Sequence, residues 1–353
     1  MRRQLHWTEN AVLVYGPRKG GTTLMQGLLD GSDQLQMIPL ELKLKSLYKQ
    51  EKKGIKHFVD SYLSRGRSFF PELIVKNQSN IQLNPNFTIQ KPVGPRIENG
   101  NDINLSNNDK FSQLLNYSSY LASLLQLNEK NFKNPAEVLQ HDVNGFVKAL
   151  ANPSTGIIGW ASKEVGGRSS RIISFFYSMF PNGKVIYLAR DPLHVTRSII
   201  LERRRRGVEL NAKDIWRQLI DSQNVVNYIA SHTSDMTHVV AYEMLIENTE
   251  HEMKRVCRAL QIPYAKIHTI PTTLGLPAVV HTSSRATTQV FKSTKHWSHD
   301  LYLKQKIVLF LYQVCLRTSY RFLNLPYARY QFTPYKFLFN KIKQASNHFD
   351  SIK

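Results

Sequence analysis

Residues 12–25 read VLVYGPRKGGTTLM, and within them Gly16, Arg18, Lys19, Gly20, Gly21, Thr22 and Thr23 have the types and order of an anion-binding turn. The apolar run Val12–Tyr15 predicts a buried strand, a Gly-rich turn follows, and a helical pattern starts at Thr22. A strand–turn–helix unit of this kind points backbone N–H groups and the positive end of a helix at a phosphate. The turn comes close to the form GxxxxGK[ST]. Gly16 and Gly21 have its spacing, but Thr22 stands where that form carries lysine, and the lysine is Lys19, inside the turn. The same residues would also make an ordinary tight connection, so a second signal matters.

That signal is KVIYLARDPLHVTRSII, residues 184–200. An apolar strand over Lys184–Ala189 ends in Arg190-Asp191-Pro192, and Ser198 follows Arg190 by eight residues at the start of a helical pattern. Arginine offers a planar fork of donors and serine a hydroxyl, a pair suited to a phosphate monoester. A structural Arg–Asp pair at a strand end is the plain alternative.

Taken in order, these segments resemble the sulfotransferases that use 3′-phosphoadenosine 5′-phosphosulfate (PAPS). PRKGGTT resembles their 5′-phosphosulfate loop, and RDP with Ser198 resembles their 3′-phosphate site. Ala241-Tyr242-Glu243-Met244-Leu245 is similar to the family's YEDL element, and Leu260-Gln261-Ile262-Pro263 to its FLGIP ending. Ser283-Ser284-Arg285 with Lys295-His296-Trp297 resembles the late loop that closes over the nucleotide. The likeness runs over about residues 12–325 and is weak in 46–150. RATTQVFKSTKHW and GPRKGGTTLM resemble tyrosylprotein sulfotransferases, and RKGGT resembles heparan sulfate sulfotransferases. Ala286 departs from the serine of the tyrosylprotein enzymes.

The resemblance implies roles. PAPS is the co-substrate and 3′,5′-adenosine bisphosphate the product, with no metal. Arg18, Lys19, Gly20, Gly21, Thr22, Thr23, Arg190, Ser198, Tyr242, Ser284 and Arg285 would bind the nucleotide. Sulfuryl transfer is an in-line displacement that needs charge on the bridging oxygen and a base for the acceptor hydroxyl. Lys19 is the candidate for the bridging and sulfuryl oxygens, and Lys163, in GWASKEV, for the sulfuryl group. Glu41 is the candidate base. It lies twenty-two residues after Lys19 and matches the glutamate that the heparan and tyrosylprotein families use. The plainer readings are a surface Glu41 paired with Lys43 or Lys45, and a Lys163–Glu164 ion pair. His6, His194 and His296 are the alternative bases.

These residues need elements to hold them. Residues 12–45 read as strand, loop, helix and a short connection ending in IPLELKLK. Residues 46–72 read as basic helix, 76–109 as a long Asn-rich loop, and 109–127 and 135–151 as helices. Further strands are expected over Ile157–Trp160, Lys184–Ala189 and Thr237–Tyr242, with helices over Arg171–Phe180 and Glu247–Leu260. Strands alternating with helices predict an α/β fold with a central parallel sheet, P-loop-like, in one domain over 1–353. Residues 46–150 would form a helical, acceptor-side insertion. Ligands of such sheets sit at the carboxyl ends of the strands, which directs attention to the residues after Tyr15, Ala189 and Tyr242.

Composition sets the frame. Lys and Arg number 47 against 26 Asp and Glu, a formal charge of +21, which points to an anionic partner. The expected acceptor is a hydroxyl on an anionic partner or glycan, with a protein tyrosine, a lipid or a small molecule as alternatives. No specific nucleic acid is expected. A P-loop kinase and a basic polyanion-binding module are the rival classes. Arg203–Arg206 reads either as an anionic acceptor site or as a solvated helix end. Two cysteines, no apolar leader and no run long enough to span a bilayer predict a cytoplasmic protein. The aromatic and basic tail 327–353 is a candidate for peripheral membrane contact.

Overall fold

The computed structural model describes residues 6–64, 74–77, 80–83, 96–97, 114–128, 130–151, 153, 156–166, 170–231, 237–281, 286–287, 290, 298, 300–317, 340 and 343–344. Ser284, Arg285, His296 and most of 76–109 and 327–353 lie outside these residues.

The chain runs β1 (Ala11–Gly16), α1 (Thr22–Leu29), β2 (Leu35–Glu41), α2 (Leu44–Glu51), α3 (Ile55–Ser64), a hairpin of β3 (Ile74–Asn77) and β4 (Asn80–Leu83), and the short β5 (Arg96–Ile97). Then come α4 (Tyr117–Leu125), α5 (Pro135–Ala149), β6 (Gly159–Val165), α6 (Ser170–Met179), β7 (Lys184–Ala189), α7 (Pro192–Arg205) and α8 (Ala212–Ser231). The remainder is β8 (Thr237–Ala241), α9 (Tyr242–Glu247), α10 (Thr249–Leu260), β9 (Thr272–Thr273), β10 (Leu276–His281), β11 (Ala286–Thr287) and α11 (Leu303–Arg317).

Five strands form one parallel sheet in the order β2-β6-β1-β7-β8. Its central strand β1 is buried throughout. Successive side chains of a strand face opposite ways, and β1 uses this to feed two cores. Leu13 and Tyr15 join Phe58, Tyr62, Tyr120, Phe146 and Phe176 on one face. Val12 and Val14 join Leu24, Leu28, Met253 and Val256 on the other. Helices from 46–150 therefore pack into the same core as the sheet. Asp142 of α5 helps to fasten them: it is fully buried and accepts hydrogen bonds from the Tyr62 and Tyr120 hydroxyls.

Several expectations need correction. The connection expected to end in IPLELKLK is the edge strand β2, with a register shift between Met37 and Glu41. The strand expected over Ile157–Trp160 runs over Gly159–Val165 and carries Lys163 inside it. The basic helix of 46–72 breaks at Gly54, and part of the Asn-rich stretch is the hairpin rather than loop.

Candidate active site

At the carboxyl edge of the parallel sheet, each of the five strands delivers a residue singled out above. Strand β1 ends at Gly16 before the turn, β2 at Glu41, β6 carries Lys163, β7 is followed by Arg190, and β8 by Tyr242. The chain leaves β1 between neighbours on both sides, the position where open α/β sheets form a crevice.

The turn after β1 is held by its own backbone and by the next two strands. Gly20 N–H donates to the Pro17 carbonyl at 2.8 Å, Lys19 has φ 64°, and Gly21 caps α1 with φ 103°. A Cβ on Gly21 would lie 2.3 Å from Tyr242 Cδ2, so the absence of a side chain lets the Tyr242 ring rest on the turn. The Arg190 guanidinium lies 4.2 Å from the centre of that ring and donates through Nη1 to the Lys19 carbonyl at 2.6 Å. Its buried Nε has no hydrogen-bond partner among the described residues. The turn, Arg190 and Tyr242 therefore form one packed unit. Asp191 caps α7, accepting from Leu193 N–H at 2.7 Å, with Pro192 at the first helical position.

Ser198 is buried on α7 and donates to the His194 carbonyl at 2.9 Å, so a phosphate contact through its hydroxyl exchanges that bond. Arg197, the residue before it, was not foreseen. It is buried, pairs with Asp300 at 3.1 Å and lies near enough to Arg190 to sense its charge. Ser284 and Arg285 fall outside the described residues.

A second cluster sits at the β2–β6 edge. Lys163 is 4% exposed and pairs in register with Glu41, and its Nζ donates to Thr23 Oγ1 at 3.0 Å. Burial lowers the Lys163 pKa, and the Glu41 charge partly restores it. Among the described residues neither Lys43 nor Lys45 forms an ion pair with Glu41. Glu164 is not the partner of Lys163 either. As the next residue along the strand it faces away, and its Oε2 accepts from Leu44 N–H at 2.9 Å at the start of α2. Burial there raises its pKa to about 7. The site thus holds a cationic turn, a buried lysine bonded to the first turn of α1, and a carboxylate beside that lysine.

The alternative bases fare differently. His6 precedes β1, at the amino end of the sheet, where Nδ1 meets Thr8 Oγ1 at 2.7 Å, and this distances it from Glu41. His194 lies on α7, and His296 is outside the described residues. Cys257 is buried, which raises its thiol pKa to about 12 and removes it as a nucleophile.

Of the arginine run, Arg204 donates to the Asp300 carbonyl at 2.8 Å and to Gln305 Oε1 at 2.9 Å, and stacks 3.9 Å from the Tyr302 ring. It fastens α11, which favours the structural reading for that residue. Sequence reasoning also missed Glu202. It pairs with Arg18 at 3.0 Å, Lys19 at 3.2 Å and Arg206 at 2.6 Å. The signal was present, since Glu202 lies one helical turn after Ser198 and shares its face.

No group of three or more potential metal ligands occurs among the described residues, and no described helix is long and apolar enough to cross a membrane.

Several known proteins are similar to this chain. Among solved structures, the sulfotransferase domain from the curacin biosynthetic pathway has a TM-score of 0.48 at 15% identity, covering 86% of this chain and 97% of that one. The sulfotransferase domain from the Synechococcus PCC 7002 olefin synthase gives 0.46 at 15% identity, with 89% and 98% covered. A retinol dehydratase in complex with androsterone and the inactive cofactor PAP gives 0.39 at 13% identity, with 92% and 84% covered. No curated protein matches the chain. Residues 168–266, which hold Arg190, Ser198, Glu202 and Tyr242, match the model of the sulfotransferase family.

Proposed function

We propose that this chain transfers the sulfuryl group of PAPS to an acceptor hydroxyl, with an anionic glycan as the acceptor. The observation that carries the reading is the packed unit of turn, Arg190 and Tyr242, with Lys163 and Glu41 beside it at the same sheet edge.

In this reading the N–H groups of Gly20–Thr23 and the amino end of α1 hold the 5′-phosphate. Arg190, through its unpartnered Nε, and Ser198 take the 3′-phosphate. Glu41 removes the proton from the acceptor hydroxyl as its oxygen bonds to sulfur. The bond from sulfur to the bridging oxygen breaks, and Lys19 stabilises the charge left on that oxygen. Lys163 supplies positive charge to the sulfuryl oxygens, and its bond to Thr23 fixes its position. A buried cation acts in a weaker dielectric than water, so its charge counts for more there.

The anionic acceptor rests on the residues just after Glu41. Helix α2 begins three positions later, and Lys43, Lys45, Lys49, Lys52 and Lys53 are all exposed on or beside it. A basic surface next to the candidate base suits an acceptor with its own negative charge.

The test is transfer from ³⁵S-labelled PAPS to a panel of sulfated and unsulfated glycans, an acidic tyrosine peptide and small alcohols, with wild type and Glu41→Gln. The reading expects label on a glycan hydroxyl and a fall of about 10²–10⁴ in turnover for Glu41→Gln. Label on peptide or alcohol alone would move the acceptor assignment, and near-normal turnover in the variant would remove Glu41 from the base role.

A further inference from the structure

Glu202 is a carboxylate at the turn that the scheme above leaves without a task, and its placement is specific. It lies on α7, one turn beyond Ser198, with its side chain 10% exposed. Its two oxygens meet Arg18 at 3.0 Å and Lys19 at 3.2 Å from the turn, and Arg206 at 2.6 Å from its own helix. Burial works against its charge, yet Lys19 and Arg18 hold its pKa below the ordinary glutamate value. The Lys19 backbone is fixed from the other side, because its carbonyl accepts from Arg190. Its side chain alone is at liberty to change partner.

We infer that Glu202 is a positioning residue that competes with the donor's phosphosulfate for Lys19 and Arg18, so that donor binding exchanges one anion for another on the same two cations. This rests on the sulfotransfer reading. Arg206 is the third arm of the exchange: it keeps Glu202 neutralised when Lys19 turns to the donor. An anion with too little charge does not displace the carboxylate, so Glu202 tunes the turn toward highly charged donors.

The alternative is a purely structural tether that holds the turn against α7. The two roles differ in sign. If Glu202 competes, Glu202→Gln frees the cations and tightens binding, whereas loss of a tether loosens the turn and weakens it. Arg206→Ala removes a cation that shares Glu202. Competition then predicts that Glu202 grips Lys19 and Arg18 harder and that the donor binds more weakly.

The experiment is calorimetric titration of 3′,5′-adenosine bisphosphate into wild type, Glu202→Gln and Arg206→Ala at fixed salt, with melting temperatures recorded. Glu202→Gln is expected to bind about three- to tenfold more tightly, and Arg206→Ala about two- to fivefold more weakly. A Glu202→Gln protein that binds no more tightly than wild type, or two variants that shift in the same direction, overturns the inference. Arg206 has a side chain 61% exposed, so its variant folds and decides the matter if Glu202→Gln does not: unchanged or tighter binding there refutes competition. A wild-type chain with no affinity for the bisphosphate overturns the sulfotransfer reading itself, which separates the two failures.

Discussion

Replacing Gly21 by alanine strikes the contact that joins the turn to its neighbours. The backbone there has φ 103°, and the new Cβ would fall 2.3 Å from Tyr242 Cδ2 and 2.8 Å from Cε2. A side chain in the left-handed region costs roughly 1–2 kcal/mol. The Tyr242 ring must also move, and with it goes the stacking beneath Arg190 at 4.2 Å, worth about 0.5–1 kcal/mol. A loss of about 2–3 kcal/mol lowers the melting temperature by several degrees in a chain of this size. Gly54→Ala is the matched control. Gly54 has φ 95° and also precedes a helix, but its Cβ would meet nothing within 4 Å. It bears the backbone cost alone. Thermal melting and calorimetry with 3′,5′-adenosine bisphosphate should show both variants destabilised and only Gly21→Ala losing about tenfold or more in affinity, since Arg190 no longer faces its phosphate. Wild-type affinity in Gly21→Ala, or equal affinity losses in the two variants, would refute the claim that turn, ring and arginine form a single nucleotide-binding unit.

The same geometry predicts three more outcomes. Burial lowers the Lys163 pKa, so its charge is lost at a lower pH than that of an ordinary lysine, and turnover should fall on the alkaline side as pH rises through that value. In Lys163→Arg a pH–rate profile should show that limb displaced upward. His238 in β8 has its pKa lowered by burial from 6.5 to about 4, so the unfolded chain binds the extra proton between those values. Stability should therefore be full above about pH 6.5 and decline toward pH 4, by up to roughly 3 kcal/mol in urea titrations, and His238→Leu should flatten that slope. Replacing Lys49, Lys52, Lys53 and Lys56 together by alanine should raise the acceptor KM and leave bisphosphate affinity nearly unchanged, because all four are exposed beyond the proposed base, Glu41.

How far the sequence discloses the molecule depends on local chemistry. Strand β7 was read with its observed bounds because Val185–Ala189 is an unbroken buried run. Strand β2 is hidden in the sequence, since Pro39 interrupts LQMIPLE and proline argues against a strand. It is tolerated because β2 is at the sheet edge, where one side needs no ladder partner. Strand β6 runs past Trp160 through Ser162, Lys163 and Glu164, which look like loop residues, yet all three are buried, and Lys163 and Glu164 bond to other elements. Polar residues at the functional end of a strand hide it from a reading based on hydrophobic runs. The helix expected over Glu247–Leu260 is α10, which starts at Thr249 because the Asn248 side chain caps His251 N–H at 3.2 Å, and the short α9 fills the stretch between it and β8. The turn, Arg190 and Tyr242 were legible because each follows a strand in a known order of motifs. Arg197 is hidden, because nothing in a helical run of mixed charge singles it out, whereas Glu202 is within reach of the sequence through its one-turn spacing from Ser198.

In the proposed function Arg190 and its neighbours recognise a nucleotide bearing phosphates at both the 5′ and 3′ positions, and a single titration decides whether they do. Calorimetry of the wild-type chain with 3′,5′-adenosine bisphosphate and with AMP should give an affinity about ten- to hundred-fold higher for the bisphosphate, the worth of a charge-assisted phosphate contact of about 1.5–3 kcal/mol. Arg190→Ala should abolish most of that difference. Equal affinity for the two nucleotides in the wild type, or a preference that survives in Arg190→Ala, would remove Arg190 from the recognition of a 3′-phosphate.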